Sequence, residues 1–206
     1  MPEPLKILYV TLTCDAYVPT RCKWQTETWI PHVAEHVFLG ARSDPSRNMV
    51  GWDTGDTYET CPRKFIEFMR HMPLNGYDWV VIVDDDTFVV PRRLEAYLQT
   101  LDAARPLYVG ATCTDGWDYM SGGAGFALSA TLVSRLRSYV QETSTQDLHV
   151  ALWGDKTFGA WVHAVGGLFE ADTRFHGDYS LSYAPDCFTC HYVKEEGFYA
   201  LAARVL

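Results

Sequence analysis

The feature that most constrains the fold is an uninterrupted apolar run that ends in three acids. Residues 79–83 read Trp-Val-Val-Ile-Val, and Asp84, Asp85 and Asp86 follow directly. A short run rich in β-branched residues predicts a strand buried on both faces, as in the parallel sheets of α/β proteins. The carboxyl ends of such strands open at the crevice where these folds bind ligands. The sequence therefore predicts an α/β domain with an acidic ligand site at the end of this strand.

Strand-like and helix-like segments alternate along the rest of the chain, which predicts a layered α/β arrangement. Thr20 is expected to cap a helix that runs to about residue 30, where Pro31 stops it. The polar residues 41–58 are expected to form a loop with one strand near 48–52. Further strands are predicted at 6–13, 36–40, 107–111 and 124–129, and further helices at 60–71, 91–101, 130–140, 155–165 and 195–205. No repeat, linker or low-complexity segment divides the chain, so we expect a single domain over residues 1–206.

Charge and hydropathy limit the partners of the chain. Its formal net charge of -9 opposes non-specific binding to nucleic acid or to an anionic membrane. No stretch approaches the roughly 18 apolar residues that a membrane span needs. The first four residues lack the basic flank and apolar run of a signal peptide. We therefore expect no nucleic-acid partner and no membrane span, and an anionic substrate would need local cations.

The three adjacent carboxylates predict a cation site. Two unit charges ~4 Å apart repel by about 4 kcal/mol at an effective dielectric constant near 20, so either the pKa values rise or a cation lies among the acids. Because side chains alternate along a strand, Asp84 and Asp86 should share one face and Asp85 the other. Oxygen ligands suit Mg²⁺ or Mn²⁺, and a histidine partner favours Mn²⁺. One alternative is a solvated acidic turn. Another is a phosphohydrolase motif of the haloacid dehalogenase type, but Phe88 stands where that motif needs threonine.

Four blocks of sequence follow one another in an order that is informative as a set. They are Trp79-Val-Val-Ile-Val-Asp-Asp-Asp-Thr-Phe-Val-Val-Pro91, Ser121-Gly-Gly-Ala-Gly-Phe126, Gly154-Asp-Lys-Thr-Phe-Gly159, and Phe175-His176 with Cys190-His-Tyr-Val193. Together they resemble the fringe and core-1 galactosyltransferase group, glycosyltransferase family 31, over most of the chain. The third block departs from the family pattern, because Gly154 replaces the first of two aspartates. The resemblance implies a GT-A-type, Rossmann-like nucleotide-sugar-binding fold with a central mixed sheet flanked by helices, a UDP-sugar donor, a divalent metal and inversion at the anomeric carbon.

The resemblance also implies roles for individual acids. Asp86 is the direct metal ligand, while Asp84 and Asp85 hold ribose, sugar or metal-bound water, and Asp84 is also a candidate ligand. Asp155 is the candidate general base, since an inverting transfer needs one carboxylate to take the proton of the acceptor hydroxyl. Its alternative role is that of a helix N-cap, because an apolar helical run follows it.

The nitrogen ligand of the metal is left open by the sequence. His191 is the first choice, because His-Tyr-Val before a terminal helix resembles the core-1 enzymes. His176 is the alternative, and Asp178 occupies the position at which fringe places its ligand.

Further residues are candidates for the donor site. They are Thr11 and Thr13 at the end of the first strand, Arg21 and Lys64 as the local cations, and Gly122, Gly123 and Gly125, whose lack of a Cβ lets the backbone approach the donor sugar. Trp117 and Tyr119 are candidates for stacking on a sugar, with core packing as their alternative. Cys187 and Cys190 form a candidate redox or zinc half-site that no second pair completes, with free buried thiols or one disulfide as the alternative.

These observations predict a UDP-sugar-dependent enzyme that transfers a hexose or N-acetylhexosamine to a hydroxyl of a glycan or glycoconjugate. A metal-dependent phosphohydrolase and a catalytically silent carbohydrate- or nucleotide-binding module are the alternatives. Animal members of the family are membrane-anchored secretory enzymes. The lack of an anchor therefore predicts a microbial or viral enzyme of the cytoplasm, or an enzyme of the secretory lumen if the sequence belongs to a longer chain. The donor sugar, the acceptor, the disulfide state and the oligomeric state stay open.

Overall fold

A mixed eight-stranded sheet forms the centre of the computed structural model, which describes residues 5–206. In chain order the strands are β1 (Ile7–Leu12), β2 (Glu35–Leu39), β3 (Arg42–Asp44), β4 (Met49–Trp52), β5 (Trp79–Asp84), β6 (Phe88–Val89), β7 (Leu107–Gly110), β8 (Thr112–Asp115), β9 (Trp117–Met120), β10 (Phe126–Ser129), β11 (Leu168–Ala171), β12 (Phe175–His176) and β13 (Thr189–Cys190). The order across the sheet is β11-β7-β10-β5-β1-β2-β4-β3. Strand β5 pairs in parallel with β1 and antiparallel with β10, so it lies in the middle.

Helices cover both faces of this sheet. They are α1 (Lys23–Glu27), α2 (Cys61–His71), α3 (Pro91–Leu98), α4 (Ala130–Glu142), α5 (Gly154–Ala164) and α6 (Glu195–Val205). Alternate residues of β5 enter two different cores. Val81 and Val83 pack in the core that includes α3 and α6, whereas Val80 and Ile82 pack in the core that includes α2, α4 and α5. The predicted strand buried on both faces is thus confirmed, and with it the α/β fold.

Most helices begin where the sequence signals place them. Pro62 and Pro91 stand in the first turns of α2 and α3, where a missing N–H costs no hydrogen bond. The hydroxyl of Ser129 accepts the Leu132 N–H at 3.3 Å and caps α4. The helices predicted at 60–71, 91–101, 130–140, 155–165 and 195–205 are therefore confirmed to within a few residues. Among residues 5–206, no helix has the length and apolar character that crossing a lipid bilayer requires.

The first helix differs from the prediction. Thr20 does not cap it but lies inside a π-helical turn, Val18–Cys22, that leads directly into α1. The helix ends at Glu27, well before Pro31, because the backbone of Thr28 leaves the helical region at φ -120° and ψ -89°. The predicted strand at 124–129 also begins later, at Phe126, because Gly125 adopts φ +77° in a turn closed by its N–H on the Gly122 carbonyl.

Several short strands were not predicted from the pattern of apolar residues. Strands β8 and β9 form a hairpin around Gly116, whose φ of +85° favours glycine. A small sheet in the order β12-β13-β6 pairs Cys190 with Phe88 and His176 with Cys190. This small sheet carries the segment after β13 to the acidic end of β5. All six cysteines are free, and Cys22, Cys187 and Cys190 are buried.

Candidate functional site

The three acids form a turn between β5 and β6, and hydrogen bonds from neighbouring residues hold the backbone of this turn in place. The Thr87 N–H donates to the Asp84 carbonyl at 3.1 Å. The side-chain amide of Gln25, a fully buried residue of α1, donates to the carbonyls of Asp84 at 2.9 Å and Thr87 at 3.1 Å. The Thr87 hydroxyl donates to the Gly123 carbonyl at 2.7 Å. Gln25 and Thr87 thus fix the backbone that presents the carboxylates, and neither residue is among those predicted from the sequence.

Two of the acids and one histidine lie close enough together to hold a metal ion. The Nε2 atom of His191 is 3.1 Å from Asp86 Oδ1 and 4.0 Å from Asp84 Oδ2. The three ligand atoms lie within 4.8 Å of one another, and no other such group of histidine, cysteine or acidic residues occurs in the described part of the chain. The His191 Nδ1 atom faces the Gly177 carbonyl at 3.3 Å, which leaves Nε2 as the ligand atom. Two carboxylates and one imidazole form a donor set that fits a divalent cation.

The chain around His191 wraps the acidic turn. The His191 N–H donates to the His176 carbonyl at 3.1 Å, and the Val193 N–H donates to the Asp86 carbonyl at 3.0 Å. Between them Tyr192 adopts φ +56°, a left-handed conformation that is uncommon for a residue with a side chain. The Tyr192 ring stacks on the imidazole with 3.8 Å between the centroids. The backbone thus fixes the position of His191 relative to Asp86.

Gly123 makes room for the imidazole of His191. A Cβ built on Gly123 would lie 2.1 Å from Cε1 and 2.2 Å from Nδ1 of that ring. A Cβ on Gly125 would meet Val83 Cγ1 at 2.8 Å. The sequence predicts that these glycines let the backbone approach a sugar. In the structure the space next to Gly123 and Gly125 is occupied by protein side chains, which is a second reason for glycine at these positions.

The other two candidate ligands lie outside this group. The ring of His176 stacks on Tyr183 with 3.9 Å between the centroids and an interplanar angle of 6°. The carboxylate of Asp178 accepts the Tyr183 hydroxyl at 3.2 Å. Both residues contribute instead through the backbone, because their carbonyls accept the N–H of His191.

Asp85 points away from the histidine, as the alternation along the strand predicts. Its carboxylate accepts the Thr13 hydroxyl at 2.8 Å and the Arg21 guanidinium at 2.8 Å. The same guanidinium lies 3.1 Å from Asp86 Oδ2 and packs 3.9 Å from the ring centroid of Tyr17. Arg21 therefore bridges two of the three acids and is the cation that the acidic sequence required.

The acids differ in their electrostatics because their partners differ. Burial raises the pKa of Asp84, His191 opposes that rise, and Asp86 reinforces it. About a third of the Asp84 side chain, 36%, stays exposed, so solvent moderates the effect. For Asp86 burial also acts to raise the pKa, but the hydrogen bond and charge of His191, followed by the charge of Arg21, outweigh it and lower the pKa. The site contains three acidic side chains and one guanidinium group, so the electrostatic potential around the imidazole is negative. A negative potential favours the binding of a cation there.

Two residues expected at the nucleotide are instead turned inward. Thr11 is fully buried, and its hydroxyl donates to Gln25 Oε1 at 2.8 Å and lies 2.9 Å from His36 Nε2. Lys64 is 2% exposed, and its Nζ atom donates to the Thr13 carbonyl at 2.8 Å and to Asp56 at 2.7 Å. Both side chains are satisfied by protein groups, because each lies on the apolar face of its element. Lys64 thereby supports the backbone of Thr13, and Thr11 supports Gln25, whose amide holds the acidic turn.

Asp155 lies at the start of α5, on the other side of the glycine-rich turn. It is not the N-cap, since Trp153 holds that position and the helix begins at Gly154. The Asp155 Oδ2 atom accepts the Gly122 N–H at 3.1 Å, and Oδ1 accepts the Lys156 N–H at 2.8 Å. Each carboxylate oxygen therefore has one backbone donor and a further lone pair free to accept a proton.

The known proteins that match this chain are glycosyltransferases. A family model described as Fringe-like matches residues 4–178. Human chondroitin sulfate synthase 3 is 24% identical in an alignment 214 positions long, which covers 86% of this chain and 23% of that protein. The Xenopus laevis glycoprotein-N-acetylgalactosamine 3-beta-galactosyltransferase 1 is 26% identical over 161 residues, which cover 73% of this chain and 45% of that protein. The chain thus spans less than half the length of these curated relatives.

Solved structures confirm the fold. The galactosyltransferase LgtC, in complex with donor and acceptor sugar analogs, superposes with a TM-score of 0.54 at 14% identity and covers 96% of both chains. A glycosyltransferase involved in the glycosylation of the major capsid of PBCV-1 gives a TM-score of 0.58 at 13% identity, over 95% of this chain and 98% of the other. The architecture is that of GT-A glycosyltransferases.

Proposed function

Because the chain belongs to the Fringe-like family of glycosyltransferases, we propose that it transfers a hexose or N-acetylhexosamine from a UDP-sugar to a hydroxyl of a glycan or glycoconjugate. The transfer proceeds with inversion and depends on Mn²⁺ or Mg²⁺. The observation that carries this proposal is the group formed by Asp84, Asp86 and His191 at the end of the central strand.

The donor set supports a divalent cation, with Mn²⁺ preferred over Mg²⁺ because one ligand is an imidazole. Asp86 and His191 are the first two ligands, since their atoms lie 3.1 Å apart, and Asp84 is the third. When bound, the cation neutralises the charge that develops on the diphosphate as it leaves. The side chains of His176 and Asp178 contact Tyr183 and lie outside this donor set.

The nucleotide is proposed to lie along the Arg21 side of the acids. Thr13, Asp85 and Arg21 form a connected polar group there, with 2.8 Å contacts, that offers both donors and acceptors to a ribose. Thr11 and Lys64 take the role of supports for this group. The turn at Gly122–Gly125 would carry the backbone past the donor sugar between the nucleotide and Asp155.

Asp155 is proposed as the general base. Its carboxylate is oriented by two backbone N–H groups, from Gly122 and Lys156, and it needs no side-chain partner to hold it in place. An inverting transfer requires such a carboxylate on the acceptor side, where it takes the hydroxyl proton as the oxygen attacks the anomeric carbon.

A donor screen tests the proposal. Purified protein is incubated with Mn²⁺ and UDP-galactose, UDP-glucose, UDP-N-acetylglucosamine or UDP-N-acetylgalactosamine, with and without glycan acceptors, and released UDP is measured. We expect UDP release with at least one donor, abolition by EDTA and recovery with Mn²⁺. A chain that neither binds UDP in the presence of Mn²⁺ nor releases it from any donor would contradict the proposal.

The variant Asp155→Asn separates an enzyme from its alternatives. We expect turnover to fall by about 100-fold or more, in line with the loss of a general base, while the affinity for UDP and Mn²⁺ stays unchanged. The matched control is Asp147→Asn, since Asp147 is an exposed carboxylate that contacts Ser144 and should leave turnover unchanged. Release of phosphate from p-nitrophenyl phosphate without UDP-sugar binding would favour a phosphohydrolase, and UDP binding without turnover a binding module.

A further inference from the structure

An aromatic surface that the proposed donor site does not use adjoins Asp155. The ammonium group of Lys156 lies 5.2 Å from the ring centroid of Trp153 and 5.4 Å from that of Trp117. It is also paired with Asp115, so its charge is already balanced. Trp153 is 40% exposed, and Leu152 beside it is 64% exposed. We call Trp117, Leu152 and Trp153 the aromatic platform.

Hydrogen bonds fix the backbone on either side of Leu152 and the ring of the half-buried Trp117, while the side chains of Leu152 and Trp153 face solvent. The buried hydroxyl of Thr157 accepts the Ala151 N–H at 2.9 Å and donates to the Trp153 carbonyl at 3.0 Å. The indole N–H of Trp117 donates to the Lys156 carbonyl at 3.3 Å. Exposed apolar groups on a fixed backbone cannot collapse onto the core, and a surface ordered in advance loses little entropy when a ligand binds.

The size of the surface indicates its ligand. A stable protein interface needs roughly 20–30 residues on each side, and three side chains fall far short of that number. A single pyranose ring, by contrast, presents one apolar C–H face that a Trp ring can cover while its hydroxyl groups stay hydrated or hydrogen-bonded. Tyr119, which the sequence suggested for stacking, is only 9% exposed and forms the floor beneath Lys156.

We propose that the aromatic platform binds a pyranose ring of the carbohydrate acceptor, and this inference rests on the proposed function of the site. Trp153 precedes Asp155 by two residues, with only Gly154 between them. Lys156 connects the two, because its N–H donates to the Asp155 carboxylate at 2.8 Å while its carbonyl accepts the Trp117 indole N–H at 3.3 Å and its ammonium group lies over the Trp153 ring. A sugar on the platform would thus lie beside the proposed general base. The platform orients the nucleophile, whereas the acids and His191 bind the donor.

Nuclear magnetic resonance of the tryptophan indole N–H groups tests this without turnover, donor or metal. The probes are methyl glycosides of galactose, glucose, xylose, N-acetylgalactosamine and glucuronic acid, and the variant Trp153→Phe assigns the Trp153 signal. We expect at least one glycoside to shift the Trp153 and Trp117 signals. Trp153→Ala should weaken its affinity, read at Trp117, about tenfold or more, as expected for the loss of an aromatic contact of about 1.4 kcal/mol.

Leu152→Ala and Leu168→Ala form a matched pair, because Leu168 is an exposed leucine, 41% accessible, on an edge strand away from the platform. Only Leu152→Ala should weaken glycoside binding. The inference is overturned if no glycoside shifts either indole signal, or if Trp153→Ala leaves the affinity within twofold of the wild type. It is also overturned if sedimentation shows that Trp153→Ala converts a dimer into a monomer, since the platform would then contact a second copy of the chain.

The role of the aromatic platform and the proposed sugar transfer can be refuted independently of each other. Glycoside binding by a protein that releases no UDP would support the platform and contradict sugar transfer. An active transferase whose kcat/KM for the acceptor is unchanged in Trp153→Ala would contradict the platform alone. UDP affinity in the presence of Mn²⁺ should be the same in Trp153→Ala and in the wild type.

Discussion

Replacing Gly123 by alanine should displace His191 from the proposed metal site without changing any of the three proposed ligands. The added Cβ would lie 2.1 Å from the imidazole Cε1 atom. Carbon atoms pack no closer than about 3.5 Å, so the ring must retreat by about 1.4 Å. Metal–nitrogen bonds tolerate a change of only about 0.2 Å. The imidazole would therefore lose contact with a cation held by Asp84 and Asp86.

The expected loss of Mn²⁺ affinity is about 100-fold, or about 2.8 kcal/mol. Isothermal titration calorimetry with Mn²⁺ measures it directly, and circular dichroism checks that the variant is folded. The control is Gly177→Ala, because a Cβ at Gly177 meets nothing closer than Ser121 Oγ at 3.9 Å while its carbonyl still faces His191. This control should bind Mn²⁺ like the wild type.

A double-mutant cycle makes the test of Gly123 stricter. If the alanine acts through the imidazole, adding Gly123→Ala to His191→Ala should cost almost nothing further. Wild-type affinity in Gly123→Ala would refute this reasoning, as would additive losses in the double variant. Either result would mean that His191 is not a ligand or that the glycine-rich turn yields to a Cβ.

Two further predictions concern the support of the site. Gln25→Ala removes the amide that donates to the Thr87 carbonyl and one of the two donors to the Asp84 carbonyl, and should cost about 1–3 kcal/mol of unfolding free energy, measured by urea denaturation, together with weaker Mn²⁺ binding. A variant as stable as the wild type would contradict the support role. His36 packs between Trp29 and Phe38, and burial lowers its pKa from 6.5 to about 3. The unfolded chain therefore takes up a proton that the folded protein refuses, so stability is complete above pH 6.5 and falls as the pH drops towards 3. Half of the unfolded chains already carry the proton at pH 6.5, so between pH 6.5 and pH 5 the wild type should lose about 1.6 kcal/mol more than His36→Gln, at a slope that approaches about 1.4 kcal/mol per pH unit. Parallel stability curves for the two proteins would contradict this.

The acidic strand end was predictable because its signal is local. Five apolar residues followed by three acids define a strand and its ligand edge without reference to the rest of the chain. His191 is different, since it reaches Asp86 through the two-residue strand β13 and its pairing with β6. A strand so short has no periodicity, so the sequence alone left His191 and His176 as rivals.

The sequence contains a weak signal that certain polar side chains point into the protein interior. Lys64 lies one helical turn before the buried Phe68 of α2, which places it on the buried face. Gln25 likewise stands three residues after Cys22 and four before Trp29, both of which are buried. A polar residue at an apolar position of a helix indicates a buried hydrogen bond. Which carbonyl would accept it depends on how the helix packs against the sheet, and the sequence does not contain that geometry.

The turn at residues 122–125 touches both ends of the proposed reaction. Gly122 donates to the carboxylate of Asp155, and the next residue packs its bare Cα against the imidazole of His191. Consecutive Cα atoms are separated by about 3.8 Å whatever side chains surround them. The spacing between the proposed cation site and the proposed general base is therefore set in part by the main chain of this turn, and a substitution of the surrounding side chains would leave that spacing largely unchanged.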